Sequence, residues 1–180
     1  VASWRSDSDS DFDLGLWRTP LNCRRSSLAK TGADALRPPF APMEALSVGG
    51  IPTGSGWQYE PKWDGFRCLL FRNGRNIVLQ SKSGRALTRY FPELVEAARA
   101  LKAETFVVDG EIVVPRKGAL SFDDLLQRIH PAPSRVQKLA AETPALLILF
   151  DLLADADGRP LTHLPLESAA ASSKISPIDI

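Results

Sequence analysis

Charge of one sign is what this chain most clearly lacks. Its 22 Lys and Arg stand against 21 Asp and Glu, leaving a formal net charge of +1 over 180 residues. Bulk electrostatics therefore selects neither nucleic acid nor membrane as a partner, and any nucleic-acid surface has to be a local patch. Cysteine is scarce as well. Cys23 and Cys68 are far apart and lack metal-ligand spacing, which predicts two reduced thiols in a cytosolic protein. No apolar run has the length of a membrane span, and the acidic, Ser-rich N-terminus is unlike a secretory signal. These absences together predict a soluble, cytoplasmic protein. A hydrophobic fraction of 44% and a charged fraction of 24% are globular values, and the length suits one domain with a real core.

Residues 1–36 carry no persistent helical or strand period. Asp7, Asp9, Asp11 and Asp13 alternate with Ser and Phe, and Arg24-Arg25 follow. This composition predicts a disordered or extraneous N-terminal segment. After a proline-punctuated lead-in from Arg37, the pattern turns regular. Trp57–Glu60 reads as a strand, Lys62–Gly65 as a turn, and Phe66–Phe71 as the next strand. Asn73-Gly74 predicts a hairpin returning through Asn76–Gln80. Leu94, Val95, Ala98 and Leu101 recur at helical spacing behind Pro92. Thr105–Asp109 reads as a strand that Asp109-Gly110 turns or kinks before Glu111–Val114. Ser121 and Asp124 have capping spacing for a short helix, and a second helix is expected over Ser134–Glu142. The apolar run Ala145–Phe150 fits a strand buried on both faces and ended by Asp151. Residues 168–180 form an irregular tail. Strands in runs with a few helices between them predict an α+β fold with mainly antiparallel sheets.

The stretch Glu60-Pro61-Lys62-Trp63-Asp64-Gly65-Phe66-Arg67 crowds four charged side chains beside a turn signal. Asp-Gly is ordinary turn chemistry, and it occurs three times. Asp157-Gly158 sits in a polar loop and reads as structure only. Asp64-Gly65 and Asp109-Gly110 instead lie between apolar strand residues and carry further ionisable neighbours, Lys62 and Arg67 at one and Glu111 at the other. A lysine and an acid converging from two such places suit nucleotidyl transfer. In that reaction an amine attacks an α-phosphorus while a divalent cation neutralises the phosphates. Desolvation against Trp63 and nearby cations such as Arg67 is the expected means of lowering the lysine pKa from its usual ~10.4.

These residues resemble a known family. Glu60-x-Lys62-x-Asp64-Gly65-x-Arg67 resembles motif I of the covalent nucleotidyltransferases, which comprise ATP-dependent DNA ligases, RNA ligases and mRNA capping enzymes. Asp109-Gly110-Glu111 resembles motif III and Phe150-Asp151 motif IIIa, in the expected order. With Tyr90-Phe91-Pro92-Glu93 and Val108–Val113, the wording is similar to bacterial ATP-dependent DNA ligases of the non-replicative repair type. The resemblance covers Arg37 to Leu166. It implies an ATP-grasp-like adenylation domain over residues 37–167, with ATP and Mg²⁺ as cofactors and nicked double-stranded DNA as partner. Lys62 would be the nucleophile that takes up AMP, Glu60 would contact the adenine amino group, and Phe150 would stack on the adenine ring. Arg67 would reach the ribose or phosphates, and Glu111 the ribose and the metal. Asp64 and Gly65 would shape the loop that presents Lys62. Lys82 falls where such ligases carry an arginine that contacts the DNA backbone.

The family pattern continues with a motif IV, a Lys-x-Lys motif V and an OB-fold domain, and no Lys-x-Lys occurs in this sequence. The resemblance therefore implies a truncated adenylation domain with weakened ligation. Two alternatives stay open beside it. One is a non-catalytic remnant that binds nucleotide or DNA, and the other is an RNA ligase or capping-type nucleotidyltransferase.

Overall fold

The structure is a computed structural model and describes residues 2–4, 16–20, 36–47, 53 and 57–164. Its strands are β1 (Ala2–Trp4), β2 (Leu16–Pro20), β3 (Ala45–Ser47), β4 (Trp57–Pro61), β5 (Phe66–Asn73), β6 (Asn76–Ser81), β7 (Thr105–Val113), β8 (Pro115–Arg116), β9 (Ala119–Leu120) and β10 (Leu146–Ala154). Its helices are α1 (Pro92–Ala100), α2 (Phe122–Gln127) and α3 (Pro133–Glu142). One sheet has the order β3-β1-β2-β4, a second β10-β7-β5-β6, and β8-β9 form a small hairpin. Every pairing is antiparallel except β1 with β3. The expected α+β architecture with mainly antiparallel sheets is the one observed. Two short strands fall within residues 1–36, where the pattern alone predicted none. The rest of that span, apart from Leu36, and all of 168–180 lie outside the described residues.

The second sheet carries the core. Successive side chains of a strand point to opposite faces, so β5 sends Cys68 and Leu70 one way and Leu69 and Phe71 the other. The first face packs with Leu79, Phe91, Leu94, Val108, Ile112 and Leu125 beneath the helices. The second face has a smaller cluster of Leu69, Phe71, Val107 and Leu153, joined by Leu36 and Phe40. That second face is also the one that carries the charged residues of the site.

The local signals mostly hold. Pro92 opens α1, and Ser121 caps α2, its hydroxyl accepting the Asp124 N–H at 3.2 Å. The β5–β6 hairpin turns on Gly74-Arg75, one residue beyond the expected pair, with Gly74 at φ +59°. Type I′ and II′ turns both need positive φ at that first central position.

Three expectations fail. Asp109-Gly110 does not turn the chain. It lies inside β7, with Leu69 opposite Asp109 and Cys68 opposite Gly110. Asp64-Gly65 is no hairpin turn either, because the strands on either side of it belong to different sheets. Finally, Asp151 does not end the last strand, which runs on to Ala154 and pairs with β7 alone among the described residues, with Leu146 37% and Leu149 38% exposed. An apolar run records hydrophobicity alone and cannot say whether both faces of a strand are covered.

Arg128, at the end of α2, is fully buried and ties the helical layer together. Its Nη2 donates to the Tyr90 carbonyl at 2.9 Å and to Glu93 Oε2 at 2.8 Å, and its Nη1 donates to the Thr143 carbonyl at 3.3 Å. The guanidinium lies 5.0 Å from the Phe91 ring centroid. Glu93 Oε1 in turn accepts the Ala145 N–H at 2.9 Å, just ahead of β10. Among the described residues, Arg128 Nε is the single buried side-chain polar atom without a partner.

Candidate active site

The segment that carries Lys62 crosses from one sheet to the other. β4 ends at Pro61, residues 62–65 span the gap, and β5 begins at Phe66. Glu60 lies in β4, in register with Trp17 of β2. Lys62 and Asp64 are exposed and Trp63 is half-buried. The burial invoked from the sequence to activate Lys62 is thus not its surrounding here.

Gly65 has a packing role that the turn reading missed. A Cβ at this position would overlap the Ile112 carbonyl oxygen and come within 2.8 Å of Glu111 Cγ. Only a glycine lets this segment rest directly on β7 beside Glu111. Gly110 does the same on the other side of β7, where a Cβ would overlap the Ile148 carbonyl oxygen of β10. By contrast Gly158, in the loop taken as purely structural, does adopt positive φ, at +77°.

Residues two apart on a strand share a face, so Asp109 and Glu111 stand side by side once β7 is continuous. Arg67 is directly opposite Glu111 in the register. Its guanidinium forks the Asp109 carboxylate, Nε donating to Oδ1 at 3.1 Å and Nη2 to Oδ2 at 2.7 Å. The same guanidinium sits 5.3 Å from the Phe150 ring centroid. Phe150 reaches this face through a bulge in β10. Leu149 pairs with Gly110 and Asp151 with Asp109, which leaves Phe150 as the extra residue between them.

The electrostatics follow from this crowding. Burial pushes the Glu111 carboxyl up most strongly. Arg67 and Lys62 pull it down, Asp109 and Asp64 push it further up, and the result is about 7. Burial alone would lower the Arg67 pKa, but the hydrogen bond and charge of Asp109, then the charges of Glu111 and Asp151, outweigh it and raise it. Six charged groups therefore act on one another here: four carboxylates (Asp64, Asp109, Glu111, Asp151) against two cations (Lys62, Arg67), a surplus of two negative charges when all are ionised. Cys68, next to Arg67, is buried, and desolvation raises its thiol far above the ordinary range. It is no nucleophile at neutral pH. Cys23 lies outside the described residues.

The fold thus brings together Lys62, Asp64, Gly65, Arg67, Glu111 and Phe150 of the residues expected from the sequence. Lys82 is elsewhere, in the loop after β6, paired with Glu44 at 3.3 Å, both side chains exposed. Sequence reasoning missed Asp109 and Asp151 as members of the site. A turn at Asp109-Gly110 hides the i, i+2 relation of Asp109 to Glu111. A strand that ends before Asp151 hides its pairing with Asp109. Among the described residues no group of three or more His, Cys, Asp or Glu could hold a metal ion by itself. No helix among them is long and apolar enough to cross a membrane.

Known proteins share much of this sequence. The chain is 52% identical over 127 residues to DNA ligase C1 of Mycolicibacterium smegmatis, covering 68% of this chain and 36% of that protein. It is likewise 52% identical over 130 residues to DNA ligase C of Mycobacterium tuberculosis, covering 70% and 36%. The chain spans little more than a third of the length of either relative. A solved structure, the ligase domain of LigD from M. tuberculosis, aligns with a TM-score of 0.48 at 31% identity, covering 62% of this chain and 33% of that one. The family model for the ATP-dependent DNA ligase domain matches residues 42–172. With most of its length under that model, the chain belongs to the ATP-dependent DNA ligase domain family.

Proposed function

We propose that this chain carries the adenylyl-transfer step of an ATP-dependent DNA ligase, with Lys62 as the group that takes up AMP. The unprotonated Lys62 Nζ donates its lone pair to the α-phosphorus of ATP. A P–N bond forms, the bond from the α-phosphorus to the bridging oxygen breaks, and pyrophosphate leaves with that electron pair. The amine sheds its proton to solvent or to a neighbouring base. The observation that carries this reading is the seating of the Lys62 segment on β7 by Gly65, beside Glu111 and Asp64.

The other residues take parts that suit their chemistry. Glu60 reads the adenine amino group, and Phe150 offers a ring face for stacking. Arg67 reaches the ribose or the phosphates of the nucleotide. Asp64 and Gly65 shape the segment that presents Lys62. Lys82 contacts the backbone of nicked double-stranded DNA as a point charge. The surplus of carboxylates suits a divalent cation, and Glu111 is the residue to hold Mg²⁺, an ion that keeps several waters and needs no full protein cage. When bound with ATP, Mg²⁺ offsets the charge on the phosphates. The compartment proposed is the cytoplasm, and the role is sealing nicks during DNA repair or recombination.

Incubation with α-labelled ATP and Mg²⁺ tests the step directly. We expect a covalent protein–AMP adduct on a denaturing gel that Lys62→Ala abolishes. An adduct that persists in Lys62→Ala sinks the nucleophile assignment. ATP binding with no adduct in the wild-type chain favours the reading of a domain that binds nucleotide without turnover.

A further inference from the structure

We propose that Asp109 is a positioning residue for the nucleobase platform: by forking Arg67 it fixes the guanidinium that faces the Phe150 ring, and with it the plane of that ring. This rests on the reading of Phe150 as the ring on which adenine stacks.

Asp109 is 2% exposed and accepts both Arg67 hydrogen bonds, at 3.1 and 2.7 Å. A charge-assisted fork of this kind sets the orientation of a guanidinium as well as its position. The Arg67 Cζ then stands 5.3 Å from the Phe150 centroid, within cation–π range. Phe150 needs such a support. It is the extra residue of the β10 bulge and has no facing partner on β7, and phenylalanine χ2 has only broad intrinsic wells. Gly110 keeps room for β10 to press against β7 at the pairs that flank the bulge.

A purely structural staple between β5 and β7 explains the pair less well. Those strands are already in continuous register from Phe66 opposite Ile112 to Asn73 opposite Thr105, so one more tie adds little. What Asp109 does add is a choice of anion for Arg67. Glu111 and Asp151 also attract the guanidinium, and without the Asp109 carboxylate it is free to turn to either of them and leave the ring.

Two readouts test this on the full chain. Uniform 4-fluorophenylalanine labelling gives one ¹⁹F resonance for each of the eight phenylalanines, with Phe150 assigned by its loss in Phe150→Leu. Asp109→Asn is expected to move the Phe150 resonance and to leave that of Phe106, in the opposite core, in place. In adduct formation, the same variant is expected to raise the KM for ATP about three- to tenfold with a smaller change in the rate at saturation, as loss of uniform binding does. In a Phe150→Leu background the KM effect should vanish, because coupled residues are not additive. Arg67→Lys, which keeps the charge and loses the fork, should move the same resonance if Asp109→Asn fails to fold. An unmoved Phe150 resonance overturns the proposal, as does an equal KM effect with and without the Phe150 ring. Should the wild-type chain form no adduct, the adenylyl-transfer reading fails, while the fluorine readout still decides the positioning.

Discussion

Glu111 shows how one side chain gathers the properties of its surroundings. Burial beside Asp109 and Asp64 raises its carboxyl pKa from 4.5 to about 7, against the pull of Arg67 and Lys62. Between those two values the folded chain binds more protons than the unfolded one, so stability from this group is full below about 4.5 and is lost as the pH rises through about 7. Glu111→Gln removes that dependence. Urea unfolding of both proteins at pH 5 and pH 8 should show the wild type losing stability relative to Glu111→Gln as the pH rises, and a parallel response would refute it. Function runs the other way. If the carboxylate form holds Mg²⁺, nucleotide-dependent adduct formation climbs with pH over the same window, and binding of the cation expels a proton. That an acid stands at this position was legible in the sequence, within Asp109-Gly110-Glu111. Its altered acidity was not, since that depends on which strands flank β7.

At the scale of elements, the bridging segment 62–65 and strand β7 act together. Gly65→Ala places a methyl group on the Ile112 carbonyl and against Glu111 Cγ, so either β7 or the segment must give way. A misplacement of about 1 Å can cost a reaction about a hundredfold, so Gly65→Ala should cut the rate of adduct formation by one to two orders of magnitude. Single-turnover labelling measures it, and an unchanged rate would show that the segment need not lie on β7. Local signals located most elements well. Pro92, the Ser121 cap and the Gly74 hairpin each report a chemical demand confined to a few residues. Asp-Gly failed as a signal because glycine answers two different demands, positive φ and close approach of another backbone. Gly158 meets the first, and Gly65 and Gly110 the second. Sequence spacing does not tell these apart. The β10 run failed for a related reason: Leu146 and Leu149 are as apolar as any core residue, but only the packed structure shows that their side is left more than a third exposed.

Across the whole molecule, the helical layer depends on Arg128, a residue that no motif marked. Its guanidinium reaches Tyr90, Glu93 and Thr143 from full burial. Two of these, Tyr90 and Glu93, belong to the Tyr90–Glu93 segment that supported the family resemblance, and here they serve as contacts for the buried arginine. Arg128→Ala leaves a cavity and an unpaired Glu93, and loss of one partner from a buried pair costs about 3–5 kcal/mol. Chemical denaturation should register a loss of that order, and a change below about 1 kcal/mol, the range of exposed pairs, would contradict the picture. Arginine is normally read as surface, and only three-dimensional convergence of residues 90, 93, 128 and 143 turns it into core.

The same clamp sets how the domain opens. The Ala145 amide is held by a Glu93 carboxylate 52 residues earlier in the chain, and Glu93 is held by Arg128. Its hydrogen is therefore expected to exchange more slowly than those of the exposed loops, and this single amide reports on the parting of the helical layer from the sheet on which the site is built.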